Sequence, residues 1–254
     1  MTARAQAAHL ASAAFSALPD PVVHRSAAWS FRLRREQRML FLDDLVDPRR
    51  NAVDIGAWWG PWTYWLSRRC PEVWAFEPNP QLARALRRCV RPNVHVEEVA
   101  LSDRTGTEHL YVPRSLGPDA QATLEAEHRL DDADEVAVAV RSLDDYDLAD
   151  VGFMKIDVEA HEEAVLHGAI ETLRRERPVV LIELEQRFHD TPITRVFDWF
   201  GTEGFAGWMR RSGQWVSVGG FDVERDQLAH VANPKSVEYI NNFVFTPDGR
   251  APSR

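Results

Sequence analysis

Apolar residues along this chain fall into short dense runs separated by stretches with helical spacing. The run through Val53 and Ile55 enters a turn from Gly56 to Gly60, which predicts a strand, a glycine turn and then a helix over 61–70. Residues 73–77 read as a buried strand, 80–90 as a helix and 94–101 as one strand or two short ones, so the pattern is βαβαβ. Gly106, between Ala100–Asp103 and Glu108–Val112, predicts a hairpin. Periodicity is lost over 114–135, a polar, acidic stretch with Gly117 and Pro118 that is expected to be a mobile surface segment and a lid over the substrate. Order returns with Val136–Val140 and with Val151–Asp157, a buried strand ending in an acid. Ala164, Val165, Leu166, Ala169, Ile170 and Leu173 form one apolar stripe, predicting a helix from Glu159 to Arg175 that Pro178 terminates. Val179–Glu185 is a further strand ending in carboxylates, followed by a helix over 193–201, a hairpin around Gly213 and a terminal strand at Asn242–Thr246. Upstream, Ala3–Leu18 reads as an amphipathic helix, and 29–45 as a helix capping the domain before Pro48. There is no internal repeat.

At 254 residues and 44% hydrophobic, the chain can bury a sizeable core in one large domain. The expected division is a helical cap over 1–47 and an α/β domain over 48–254 carrying the lid insert. The net charge of −9, with 39 acidic against 30 basic residues and no long basic run, argues against nucleic acid and favours small or neutral substrates. Cys70 and Cys89 support neither a disulfide framework nor a thiolate zinc site, which points to a reducing compartment, the cytoplasm by default. Arg4, Gln6, His9 and Ser12 interrupt the N-terminal apolar run, making it a poor signal peptide, and no segment is long enough to span a bilayer. Composition leaves the oligomeric state open.

The glycine turn carries the first chemical information. Its pattern is Asp54-x-Gly56-x-x-x-Gly60 and not the G-x-G-x-x-G that seats a pyrophosphate on a helix N-terminus, so a dehydrogenase is disfavoured. An acid before the first glycine repels phosphate but suits a ligand with an amino group or a sulfonium, such as S-adenosylmethionine. Glu77, at the tip of the next strand, stands where an acid can bind ribose hydroxyls. These features favour a methyltransferase.

Seven strings in order then support a family. Asp54–Ala57, Glu77–Pro80, Ala100–Asp103 with Gly106, Ser142–Asp145, Lys155–Glu159 with Glu162, Gly168–Ala169 and Arg177–Glu183 together resemble the FkbM family of methyltransferases over about residues 50–186. The resemblance implies a class I S-adenosylmethionine-dependent enzyme: a Rossmann-like three-layer α/β sandwich with a seven-stranded, mostly parallel sheet and an antiparallel last strand. It implies O-methylation of a sugar or glycosylated metabolite, or of a polyketide-type natural product. By the same resemblance Asp54, Gly56, Trp58 and Gly60 hold the methionine part of the cofactor, Thr63 helps orient its carboxylate, Glu77 takes the ribose diol, and Pro78 and Asn79 meet the adenine edge. The chain departs from the family at Trp58, usually Asn, at Ala160, usually Gly, and at His161, where small or apolar residues are usual.

Methyl transfer to an alcohol needs alignment and a place for the proton, and two designs answer that need. In one, Asp157 and Glu183, at the ends of neighbouring strands, hold a divalent cation such as Mg²⁺, with Glu185, Glu159 or a histidine as third ligand. In the other, His161 or His189 is a general base without metal. Asp157 and Glu159 are candidates for a direct role in either. Trp58 and Trp59 are placed to face a ligand, whereas Trp62 and Trp65 are expected to pack their helix on the sheet, and Trp208 and Trp215 to pair across the Gly213 hairpin. The alternative of another class, a cofactor-binding interaction module without catalysis, is opposed by the presence of Asp157, Glu159 and Glu183.

Overall fold

A computed structural model describes residues 20–30, 41–113, 122–125, 133–233 and 236–252. The expected helix over 3–18, part of that over 29–45 and most of the 114–135 segment lie outside the described residues. The main sheet has eight strands in the order β10-β9-β11-β8-β7-β1-β2-β3. These are β1 (Asn51–Ile55), β2 (Val73–Phe76), β3 (Val94–Glu97), β7 (Val151–Ile156), β8 (Val179–Glu183), β9 (Ala206–Arg211), β10 (Gln214–Ser217) and β11 (Asn242–Thr246). Strands β3, β2, β1, β7 and β8 pair in parallel, and β11 is antiparallel to both β8 and β9. The resemblance implies seven strands; the eighth, β10, is the return arm of the hairpin expected around Gly213 and extends the sheet by one edge strand. The fold is therefore α/β with a mostly parallel central sheet.

Every residue of β7 is buried, as a central parallel strand covered on both faces requires. One core joins β1, β7, β8 and β11 to helices α5 (Glu162–His167), α6 (Ile170–Glu176) and α7 (Thr194–Thr202). On the other face, Trp62 of α3 (Pro61–Leu66) stacks on Phe153 at 6.4 Å. Trp65, partly buried, packs against the same cluster as Trp62, and it also reaches α1 (Asp20–Ser30): its ring meets Trp29 and its Nε1 donates to Ala28 O. A short α2 (Leu42–Leu45) and α4 (Pro80–Arg87) complete this side, α4 being capped by Asn79 with Pro80 in its first turn. No helix among the described residues is long and apolar enough to cross a membrane.

Three sequence expectations change here. The Gly106 turn does not pair the strands that flank it: β4 (Ala100–Leu101) and β5 (Gly106–Pro113) lie on opposite sides of β6 (Ala133–Arg141) in a second, three-stranded sheet. The single helix over 159–175 is two. Glu159 and Ala160 have φ of 39° and 71°, which delays the start to Glu162. The break at Gly168 arises because its carbonyl accepts Ser142 Oγ at 2.5 Å and Asp144 N at 3.0 Å. Trp208 and Trp215 also miss each other, since β9–β10 register sets Trp215 opposite Arg210 and Trp208 opposite Ser217.

Candidate cofactor and acceptor site

The β1–β7 register puts Asp54 opposite Lys155. Asp54 is 0% exposed, and its Oδ2 accepts the Thr63 hydroxyl at 2.5 Å. Among the described residues its Oδ1 accepts no hydrogen bond: Lys155 Nζ stands 3.5 Å away, beyond normal N–H···O contact. A buried carboxylate oxygen without a donor is costly, so this atom suits a donor brought by a ligand. Lys155 instead donates to Gly56 O at 2.7 Å and Ile55 O at 3.2 Å and lies 3.3 Å from Asp157 Oδ2. Burial works against its charge, but Asp157 and Asp54 outweigh it and raise its pKa.

Gly56 and Gly60 both have φ of 74°. A Cβ on Gly56 would fall 1.9 Å from Asp157 O, and one on Gly60 would meet Leu86 and His24. Both therefore need to be glycine. Trp58 is also left-handed at φ 51°, a conformation that Asn, usual in the family, tolerates better. Its amide donates to Glu77 Oε2 at 2.7 Å, while Asn79 N donates to Oε1 at 2.9 Å. Burial nevertheless raises Glu77 to a pKa of about 7, against those two amides. Two expected ligand groups are held within the protein: Thr63 Oγ1 by Asp54, and Asn79 Oδ1 by Gln81 N in the helix cap, with half-buried Pro78 between Glu77 and Asn79.

The acids at the next strand tips do not form one ligand set. Asp157 leans on Lys155. Glu183 accepts Asn241 Nδ2 at 2.6 Å and Asn242 Nδ2 at 3.1 Å. Glu185 accepts the Tyr239 hydroxyl at 2.6 Å and Asn241 Nδ2 at 3.1 Å, and pairs with Arg187 Nε at 2.5 Å. Among the described residues no three His, Cys, Asp or Glu side chains converge as a metal would require. The residues as arranged do not fit the expected divalent-cation site: amide, hydroxyl and guanidinium donors engage Glu183 and Glu185, Lys155 stands against Asp157, and the acids do not converge. Glu159 sits among these acids; burial, then Asp157, Glu185 and Glu162, push its pKa well above the usual carboxylate range.

The two histidines are placed differently. His161 spends both ring nitrogens within the protein, Nδ1 on Glu125 Oε1 at 2.8 Å and Nε2 on Ser102 Oγ at 3.0 Å. With Thr123 Oγ1 donating to Glu159 O at 3.0 Å, this ties the segment 122–125 to the loop after β7. His189 is mostly buried, and its Nε2 stands 3.2 Å from Glu162 Oε2 without hydrogen-bond alignment, a contact that becomes an ion pair when the ring is protonated. Burial opposes a charge on His189, but Glu162, then Glu163 and Glu125, raise its pKa.

Sequence reading assigned no role to Lys155, although it stands in the Lys155–Glu159 string. It also missed His24, whose Nδ1 meets Trp59 O at 2.9 Å so that α1 lies over the glycine turn, and the Tyr239–Asn241–Asn242 group that fixes Glu183 and Glu185. These partners come from strand and helix packing that no local motif encodes.

The family description "Methyltransferase FkbM domain" matches residues 52–206. No curated protein matches the chain. Among solved structures, methyltransferase FkbM from Methylobacillus flagellatus KT is 17% identical, with a TM-score of 0.52 over 95% of this chain and 59% of that one. This chain thus spans under two thirds of that protein's solved length, and the likeness is one of fold. Precorrin-6y C5,15-methyltransferase from Geobacter metallireducens GS-15 is 14% identical over 83% of this chain and 87% of its own, with a TM-score of 0.44. A SAM dependent methyltransferase from Aquifex aeolicus is 12% identical over 92% and 97%, with a TM-score of 0.43.

Proposed function

The chain belongs to the methyltransferase FkbM domain family, and from that premise we propose that it methylates a hydroxyl oxygen of a small carbohydrate or glycosylated acceptor, using S-adenosylmethionine. The observation that carries the cofactor assignment is the orphaned Asp54 Oδ1, buried beside a turn whose two glycines leave no room for a Cβ. Asp54 and the Gly56–Gly60 turn would hold the amino-acid end, and Glu77 the ribose diol. The bound sulfonium supplies a methyl carbon activated for in-line displacement.

The remaining work falls to the chain. An alcohol proton is too weakly acidic to leave first, so a base must take it as the new O–C bond forms. His189 is the residue we assign. Its Nε2 lies 3.2 Å from Glu162 Oε2, whose charge stabilises the imidazolium once it has formed, and the Nδ1 of the neutral ring, with no partner among the described residues, takes the proton. His161, with both nitrogens engaged, serves instead to hold the 122–125 segment against the site. Half-buried Trp58 and Trp59, ring centroids 6.4 Å apart, support a sugar-type acceptor because their faces suit sugar rings.

Transfer of labelled methyl from S-adenosylmethionine to a panel of glycans tests this reading. His189→Gln is expected to lower kcat by roughly 10²–10⁴-fold with a smaller change in KM, and turnover is expected to survive chelation. Wild-type turnover in His189→Gln, or a chelator loss restored by Mg²⁺, would overturn the base assignment.

A further inference from the structure

Three arginines stand together at the outer end of the sheet of this acidic chain. Since β11 is antiparallel to both neighbours, β9 runs parallel to β8, and the β9–β10 turn at Ser212–Gly213 opens on the same edge as the tips of β1, β7 and β8. Met209 is level with Phe243 and Ile182, which sets Arg210 beside the Asn242–Glu183 pair. Arg210 and Glu183 are thus two strand spacings apart, roughly 10 Å. Between the turn and the segment leading to β11 lies an open cleft of about 580 Å³, lined by Arg210, Arg211, Arg225, Asp226, His230 and Ile240 among others.

The cations in this cleft outnumber its anions. Buried Asp226 is shared by Arg211 at 2.5 Å and Arg225 at 2.8 Å, and Glu238 pairs with His230 at 3.7 Å. Arg210 is seated otherwise. It donates to Gly213 O and lies over the Phe41 ring at 3.8 Å, and no carboxylate pairs with it among the described residues. Burial alone acts on it and lowers its pKa. A guanidinium placed over an aromatic ring, with donors left over, is suited to an oxyanion. The cleft is also linked to the Glu183–Glu185 strand tip: Ile240 N donates to Asp226 O, and the residues on either side of Ile240, Tyr239 and Asn241, bond to Glu185 and Glu183.

We infer that this cleft binds an anionic group of the acceptor, a phosphate or a carboxylate, and so directs the reacting hydroxyl toward the Glu183–Glu185 side. The inference rests on the methyltransferase reading above, and it replaces the neutral acceptor that the net charge alone suggests with a charged one.

The test is calorimetric titration of glucose 6-phosphate, glucuronate and glucose into the protein, free and saturated with S-adenosylhomocysteine, at low and high salt. Both anions are expected to bind saturably, about tenfold or more tighter than glucose, and to weaken with salt. The tighter of the two identifies the group. Arg210→Gln and, independently, Arg225→Gln should each weaken the anions about fivefold or more without changing S-adenosylhomocysteine affinity. Equal binding of charged and neutral sugars, or no effect of either variant, overturns the inference, as does tighter binding of a single-stranded oligonucleotide than of either sugar anion. If S-adenosylhomocysteine binds and the anions do not, this inference fails alone; if only the anions bind, the methyltransferase reading fails and the cleft stands.

Discussion

Burial pushes the pKa of the Glu77 carboxyl up to about 7, out of the usual carboxylate range, against the two backbone amides that donate to it. Its folded pKa lies above the unfolded one, so ionised Glu77 costs the fold stability; the cost is complete above about pH 7 and is relieved as pH falls toward the ordinary carboxyl range. A ribose diol donates to the ionised form, so S-adenosylhomocysteine affinity should fall about tenfold per unit as pH drops below 7. Glu77→Gln should bind weakly with a flat profile across this range, and a flat wild-type profile would remove Glu77 from the ribose. Ala160 offers a second residue-scale test. At φ 71° it holds a conformation natural to glycine, so Ala160→Gly should raise stability by about 1 kcal/mol in denaturant titration; a loss would show that the alanine methyl is packed to advantage. Asp54 and Glu77 were legible in the sequence because each belongs to an apolar run beside a punctuating glycine or proline. Lys155 was not, because its partner Asp54 comes to it only through the parallel pairing of β1 with β7.

Helices and strands were legible where the apolar period was uninterrupted, and misread where a distant group intervenes. The stripe from Ala164 to Leu173 is continuous, yet Ser142 and Asp144 capture the Gly168 carbonyl and split it into α5 and α6. A Cβ on Gly168 would stand 1.9 Å from Ser102 O. Gly168→Ala should therefore cost about 1–3 kcal/mol and loosen the Ser102–His161 contact that neighbours it; an unchanged melting temperature would mean that the helix–strand approach can open without penalty. The placing of β4 and β5 on opposite sides of β6 was likewise hidden, since β6 begins only at Ala133, well after β5 has ended at Pro113. Hairpin logic sees only neighbours in sequence.

Across the whole molecule, the alternation of strand and helix from 51 to 183 specified a parallel sheet whose carboxyl edge gathers Asp54, Glu77, Asp157, Glu183 and Glu185 near one crevice. What the alternation could not specify was how those acids divide. Asp54 keeps one oxygen unpartnered and Glu77 is held by the turn, whereas Glu183 and Glu185 are taken by Asn241, Asn242 and Tyr239 from the approach to β11. Three arginines, Arg210, Arg211 and Arg225, line the cleft at the β9–β10 end of a chain whose net charge is −9. The most direct measurement is calorimetric titration of S-adenosylhomocysteine into the purified protein and into Glu77→Ala, with and without Mg²⁺. Saturable binding at micromolar or tighter affinity, indifferent to Mg²⁺ and weakened at least about tenfold in the variant, is expected. No binding by the folded wild type, or equal binding by Glu77→Ala, would contradict the assignment of this edge as a cofactor site.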